Sequence, residues 1–301
     1  MRAPIGTIRD KLAVLRFRKS VRGVDPDELF TRPEVTAGDR LVEIGFSPLI
    51  IERFLSPLLS AITLDPTLTF SSRYLEFVFR MLTDGDAAVP ADGMGAIAEQ
   101  LVAGLPADTV RYGVEVSEAT SDHVTVDGSR IDAAAVVIAT DAADAARLTS
   151  LVTDRGSTRV TTWWFAAPEP PTHRPAIILG GRGDAINNLA VMTQVSDHYS
   201  DNGRALVAAS SPGTDVTDED VIRTLVDWFG PMIDEWEPVR TDRIVRAQPR
   251  QALGIDPDQS VRLADGLFVA GDHRQNASLD GALVSGRRAG EAVAAKLCRD
   301  C

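Results

Sequence analysis

From residue 25 to 83 the apolar positions recur mostly at helical spacing. Asp25-Pro26 and Asp27 start one helix. Pro48 and Pro57 interrupt the apolar stretch LIIERFLSPLLSAITL, and Tyr74, Leu75, Phe77, Val78, Met81 and Leu82 line one face of a segment from Thr69 to Leu82. In the basic stretch 1–22, Ile8, Leu12 and Leu15 share a helical face; a packed helix with a solvated basic side and a membrane-surface helix both fit that pattern. Residues 89–105 read as a Gly-rich loop entering a helix, with Asp92 at its N-cap.

Strand signals then take over. They are TVRYGVEVSEA, HVTVDG with a turn at Asp127-Gly128, the buried-looking AAAVVIAT, and the stretches 158–166, 175–180, 189–195 and 204–210. A helix capped by Thr217 is expected over 217–236, followed by the strand TDRIVRAQ, a Pro-rich connector, the short run LFVAG and a last helix to about residue 297. Strands and helices alternate irregularly. The pattern predicts two interleaved α/β or α+β units in place of one regular doubly wound sheet.

Composition narrows the function classes. The 301 residues are 44% hydrophobic and 25% charged, enough apolar material for one large core or two. A net charge of -12 leaves no excess of cations to neutralise phosphates, so nucleic acid is not the expected partner. No apolar run is long enough to span a bilayer and no signal peptide is legible, so a cytoplasmic location is expected. Cys298 and Cys301 have C-x-x-C spacing, which suits a metal or redox pair, but no further cysteine completes a zinc site and a frayed tail explains them as well.

The candidate chemistry lies in GLFVAGDHRQNASLDGALVSGRRAGE at 266–291. An apolar run ends in Gly271-Asp272, and a helix opens a few residues later. Asp272, past a strand's carboxyl end, is placed to accept hydrogen bonds from ligand hydroxyls. The helix start offers unpaired amides and partial positive charge, and Gly281 keeps that turn free of side chain so that a ligand can approach. Ala282, Gly286 and Gly290 make a small-residue stripe for close packing on another backbone. A capped helix resting on a sheet, with Asp272 as a loop acid, is the competing interpretation. His273 reads as a solvent-facing loop histidine or a neighbour of the ligand. Trp163 and Trp164 point to opposite faces of a strand. Arg246, Gln248 and Arg250 are candidates for an acidic substrate group.

Together these stretches resemble the flavin amine oxidase superfamily of FAD-dependent oxidoreductases, which includes amine oxidases, protoporphyrinogen oxidases and phytoene desaturases. Residues 266–291 resemble its C-terminal FAD-contact motif, and VPADGMGAIAEQL at 89–101 its Pro-x-Gly-Gly-Met segment, with Asp92 in place of the first Gly. YGVEVSEATSDHVTV at 112–126 resembles the strand pair whose valine covers the adenine, which places Val114 there. VVIATD at 136–141 resembles the strand and turn that follow, and ALG at 252–254 is similar to the Ala-Leu-Pro of one branch. The order of the motifs carries the resemblance.

The resemblance implies FAD as cofactor, with Val114, Ala139, Thr140, Gly271, Asp272, Leu279, Gly281 and Ala282 as binding residues. Asp272 would bond the ribityl chain or diphosphate, and the Leu279 amide would face the flavin's pyrimidine carbonyl. No catalytic residue is assigned, and no metal. The implied fold is α/β (α+β): a Rossmann-like FAD domain, incomplete at its N-terminus, interleaved with a substrate domain of mixed sheet and helices. Residues 1–88 would be the helical part of the substrate domain, 89–150 part of the FAD domain, 151–254 the substrate sheet and helix, and 255–301 the last FAD-domain strand and helix. The implied reaction removes a hydride from a C–N or C–C bond of an apolar small molecule. The alternative is a non-catalytic or split-complex subunit that binds flavin only with a partner chain.

One departure bears on this. The family's opening strand and G-x-G-x-x-G do not precede MRAPIGTIRDKL. Gly93–Ala98, with Glu115 beyond it, has the spacing but follows helix and loop, and GGRGD at 180–184 reads as a turn. A wrongly chosen start codon, a fragment of a longer protein and a split gene with a separate chain supplying the nucleotide-binding segment each account for this, and in every case weak retention of FAD by this chain alone is expected.

Overall fold

The computed structural model describes residues 5–300. In chain order the helices α1 (Ile8–Val21), α2 (Pro26–Leu29), α3 (Ala37–Ile44), α4 (Pro48–Ile50), α5 (Ser56–Thr63), α6 (Ser72–Asp84) and α7 (Gly95–Ala103) come first. Strands β1 (Val116–Ala119), β2 (His123–Val126), β3 (Ser129–Asp132) and β4 (Val136–Ile138) and helix α8 (Ala142–Leu148) follow. Then come β5 (Ser157–Ala167), β6 (Ile177–Leu179), β7 (Asn188–Val191), β8 (Ala205–Pro212), α9 (Asp218–Phe229), β9 (Glu237–Pro249), β10 (Arg262–Ala264), β11 (Leu267–Val269) and α10 (Leu279–Asp300).

The chain forms two units, one of residues 1–105 with 158–247 and one of 106–157 with 248–301. Residues 89–105, grouped by sequence with the nucleotide-binding part, fall in the first unit. Their loop is tied there by the Tyr199 hydroxyl donating to Pro90 O at 3.0 Å and by His198 Nδ1 against Asp92 Oδ1 at 2.6 Å. Asp92 is thus spent on His198, and the N-cap of α7 is Met94, without a side-chain bond.

In the first unit, α1 starts at a capping box in which Thr7 and Asp10 bond each other reciprocally. Its buried face is Asp10, Ala13, Phe17 and Val21, whereas Ile8, Leu12 and Leu15 are exposed. The apolar triad expected to pack is on the other side because Asp10 turns inward, accepting bonds from Thr7 and from the Ser47 amide and hydroxyl at 2.6–2.8 Å. Pro57 does not break its helix. Residues 51–55 take one π turn, with Ser56 N bonded to Ile51 O, and the wider turn carries the chain into α5 across the missing proline N–H. On α6, Tyr74, Leu75, Phe77 and Val78 are buried, as core packing requires, while Met81 and Leu82 stay exposed. Buried Glu76 on α6 is bridged by Arg32 at 2.8 Å and Arg40 at 2.9 Å.

The sheet of this unit has the order β6-β7-β8-β5-β9. Along β5 the alternate residues Thr161, Trp163, Phe165 and Ala167 face a core shared with Leu189, Val207 and, from α9, Val221 and Leu225. Trp163 donates to Asp218 at 2.7 Å and Trp164, on the opposite face, to Asp242 at 2.9 Å. Thr217 caps α9 as expected, but the helix ends at Phe229: Gly230 has φ of +68° and the chain continues as a 3-10 turn to Glu235.

The second unit has two small sheets. β1-β2-β3 is antiparallel, and Asp127 and Gly128 both take positive φ (48° and 75°) in the tight β2–β3 turn. In the other sheet β11 lies between antiparallel β10 and parallel β4, and β4 has no second neighbour among the described residues. Val136, Ile138, Leu267 and Val269 pack with Ala145 of α8 and with Val152. Only residues 116–119 of the strand expected over TVRYGVEVSEA form; 109–115 carry no regular structure. Helix α8, absent from the sequence reading, is capped by Asp141. Its sequence AADAARL has too few large apolar residues to show a period. No helix among the described residues is long and apolar enough to cross a membrane. Cys298 is exposed, and Cys301 lies outside the described residues.

Candidate functional site

The second unit gathers most of the expected site residues at one corner. Parallel pairing of β4 with β11 runs to their tips, where Ala270 N donates to Ile138 O at 2.9 Å. Ala139 and Thr140 therefore leave one strand beside Gly271 and Asp272 leaving the other. Gly271 has φ of +149°, and a Cβ there would meet the His273 ring at 2.6 Å and Thr140 O at 3.2 Å. The two tips are too close for any side chain at position 271.

The start of α10 is tied to this corner by Ser285, whose hydroxyl accepts from Gly271 N and donates to Ala282 O, both at 2.9 Å. The first amides of α10 are partly spent within the chain. Gly281 N donates to Ser278 Oγ at 3.0 Å and Ala282 N to Ser278 O at 3.0 Å. The amide of Leu279, the first helical residue, has no intrahelical acceptor by position, and its side chain is exposed.

Two expectations change here. A Cβ at Gly281 would lie 2.1 Å from Asn276 O, so the open side of that glycine is filled by the chain's own loop and is not a ligand's approach. The stripe of small residues facing the protein is Gly281, Ser285 and Ala289, all buried; Gly286 and Gly290 have nothing near their Cβ positions. The spacing of four was right and the phase was off by one residue, because Ser285 is drawn inward by Gly271. Val114 is exposed, sits ahead of β1, and is joined to this corner by none of the hydrogen bonds or apolar clusters of the described residues. Ser285 and Asn276, both nearly fully buried, are the residues the sequence reading missed.

The electrostatics of the corner are uneven. Burial raises the Asp272 carboxyl above the usual carboxylate range, and the charge of Asp141 adds to the shift. No cation pairs with Asp272 among the described residues. His273 is not a solvent-facing loop residue: burial, with Arg274 beside it, holds its pKa down to about 4, and neither ring nitrogen has a partner. No group of histidine, cysteine and carboxylate side chains suited to a metal ion occurs among the described residues.

The corner fits a flavin nucleotide. It offers a half-buried carboxylate with no cation of its own, exposed strand tips at Ala139 and Thr140, a glycine where backbone must come close, and an amide-bearing helix start. Gly93–Ala98 supplies no dinucleotide loop, since it follows α6 and a stretch without strand.

The sequence profile of the flavin containing amine oxidoreductase family matches residues 12–294, and the chain belongs to that family. It is an FAD-dependent oxidoreductase by this membership, with the family's mixed α/β fold. Its structure is similar to that of an oxidoreductase from Methanosarcina mazei, with a TM-score of 0.74 at 17% identity over 95% of this chain and 73% of that one. It is also similar to putrescine oxidase bound to putrescine, with a TM-score of 0.67 at 15% identity over 96% of this chain and 76% of that one. Reduced UDP-galactopyranose mutase aligns more distantly, with a TM-score of 0.56 at 14% identity over 82% of this chain and 60% of that one. At such identities the likeness is one of fold. No curated protein matches the sequence.

Proposed function

We propose that the second unit holds the flavin at the β4/β11/α10 corner and that the first unit binds a small-molecule substrate whose C–N or C–C bond is oxidised. The observation that carries this reading is Asp272: a half-buried carboxylate without a cation, at the tip of a parallel strand and beside a helix start. A bound flavin supplies a hydride acceptor at its N5. The chain's own part is to hold and polarise. Asp272 accepts hydrogen bonds from the hydroxyls of the cofactor chain, the free amide of Leu279 faces the pyrimidine carbonyl, and the helix end favours negative charge there.

For the substrate, the first unit offers a cleft of about 400 Å³ edged by Ile51, Pro57, Ile186 and Pro212, with Asp184 and the Glu52–Arg182 pair (3.8 Å) at its polar side. That volume lies in the range of small-molecule sites. The isoleucines and prolines suit the apolar body of a substrate, and the serines, Asn187 and charged residues between them suit polar groups on it. Titration of the purified protein with FAD, read by quenching of flavin fluorescence, tests the reading. Saturable binding that weakens about tenfold in Asp272→Ala supports it, and binding indifferent to that substitution refutes it.

The unpartnered edge of β4, where Val137 is exposed, favours a second reading. Tight flavin binding then requires a strand from outside these 301 residues to pair along β4, and this chain by itself releases FAD readily. Stoichiometric flavin remaining after gel filtration of this chain contradicts that reading.

A further inference from the structure

We propose that Arg155, Arg250 and Arg274 form, with His273, an oxyanion-binding site in the second unit that takes the phosphate or carboxylate end of a small molecule. The four side chains come from three separated segments and line one small cleft, together with Gln259, Gly156 and other uncharged residues. The enclosed part of the cleft has room for roughly one water-sized group and none for a ring system, so it admits one oxygen of a charged end, with the remaining oxygens and the rest of the molecule at the open rim. The proposal does not rest on the flavin reading.

The floor of the cleft holds polar atoms without partners. Neither ring nitrogen of His273 nor Nε of Arg274 has one; the neutral imidazole brings one N–H donor and Arg274 a second, a costly state unless a ligand or water completes it. Arg274 is otherwise fixed: Nη1 donates to Gln259 Oε1 at 3.1 Å and Nη2 to Ser260 O. Arg250 is laid over Gly156, where a Cβ would come within 3.4 Å of its Nε, and its amide donates to Gly156 O at 3.1 Å. The guanidiniums of Arg155 and Arg250 are exposed at the rim and make no hydrogen bond or ion pair among the described residues.

Charge points the same way. No carboxylate lines the cleft. Asp154 accepts from Gly156 N at 2.8 Å, and Asp258 pairs with Arg288 at 2.7 Å. Burial, with Arg288 and Arg155 nearby, weakens the hold of Arg274 on its proton. Like charges converging on buried, unmet donors, with the nearby acids engaged elsewhere or outside the cleft, form a geometry that an oxyanion relieves. Planar guanidiniums match both phosphate and carboxylate oxygens.

The test uses the purified full chain and inorganic phosphate, titrated against chloride at matched ionic strength and followed by phosphorus NMR line broadening and thermal unfolding. Saturable broadening and a raised unfolding midpoint are expected. Arg155→Gln and Arg250→Gln each weaken phosphate binding by about tenfold with unchanged circular dichroism, and Arg155→Lys retains most of it. Arg287→Gln, on the exposed face of α10, leaves it unchanged. A parallel titration with acetate assigns the source: a stronger response to phosphate indicates a phosphoryl ligand, a stronger response to acetate a carboxylate. No saturable response to either anion, or equal affinities in the wild type and both Gln variants, overturns the site.

Discussion

Gly281 lies against Asn276 so closely that a Cβ on the glycine would stand 2.1 Å from the asparagine carbonyl oxygen. Helix α10 therefore begins seated on its own preceding loop. That contact, with the Ser285–Gly271 bond, sets the helix start beside the Asp272 strand tip.

Gly281→Ala should destabilise the fold by about 2–3 kcal/mol, because backbone must move to admit the methyl group. Gly286→Ala and Gly290→Ala lie in open helical positions and should each stabilise by about 0.5–1 kcal/mol through helix propensity. Urea unfolding of the three variants separates the packed glycine from the free ones.

Ser285→Ala removes the acceptor of Gly271 N and leaves that amide unpaired beside a buried helix face. A loss of about 1–3 kcal/mol is expected in the same unfolding experiment. Weaker FAD binding should accompany it, since the strand tip is no longer held.

Asp10 predicts how the first unit responds to acid. Burial works against its ionisation, but bonds from the backbone and hydroxyls of Ser47 and Thr7 prevail and bring its pKa down to about 2. A folded pKa below the unfolded one means that its stabilisation is full above the unfolded carboxylate value, about 4, and fades as pH falls toward 2. Thermal midpoints of the wild type should drop across that window, and those of Asp10→Asn should drop less from a lower starting value.

Asp272 predicts the opposite sign. Its folded pKa is raised, so its charged form is a burden at neutral pH in the flavin-free protein. Asp272→Asn should raise the thermal midpoint without flavin while weakening flavin binding, the trade expected of a group kept for its ligand. A lowered midpoint without flavin would place Asp272 among the structural residues.

Much of this architecture was legible in the residues. Strand β11, the Gly271-Asp272 tip, helix α10 and the Thr217 cap of α9 follow from apolar runs, turn residues and capping chemistry. Helix α8 was not legible, because AADAARL carries no period. The phase of the α10 stripe was hidden as well: Gly281-Ser285-Ala289 and Ala282-Gly286-Gly290 share a spacing, and only the long-range bond from Gly271 decides between them. The inward turn of Asp10 depends on Ser47, 37 residues away, and so reversed the expected face of α1. The sequence leaves His273 between a solvent-facing and a ligand-neighbouring position, because the residues that bury it, such as Gln259 and Ala142, are distant in the chain.

The central claim is that the Asp272 corner holds the flavin, and an FAD titration of the wild type against Asp272→Ala tests it most directly, with Asp265→Ala, an exposed acid of the same unit, as control. The account predicts saturable binding that weakens by about tenfold in Asp272→Ala and is unchanged in the control. Equal affinities in the wild type and Asp272→Ala, or no saturable binding by the wild type, would contradict it.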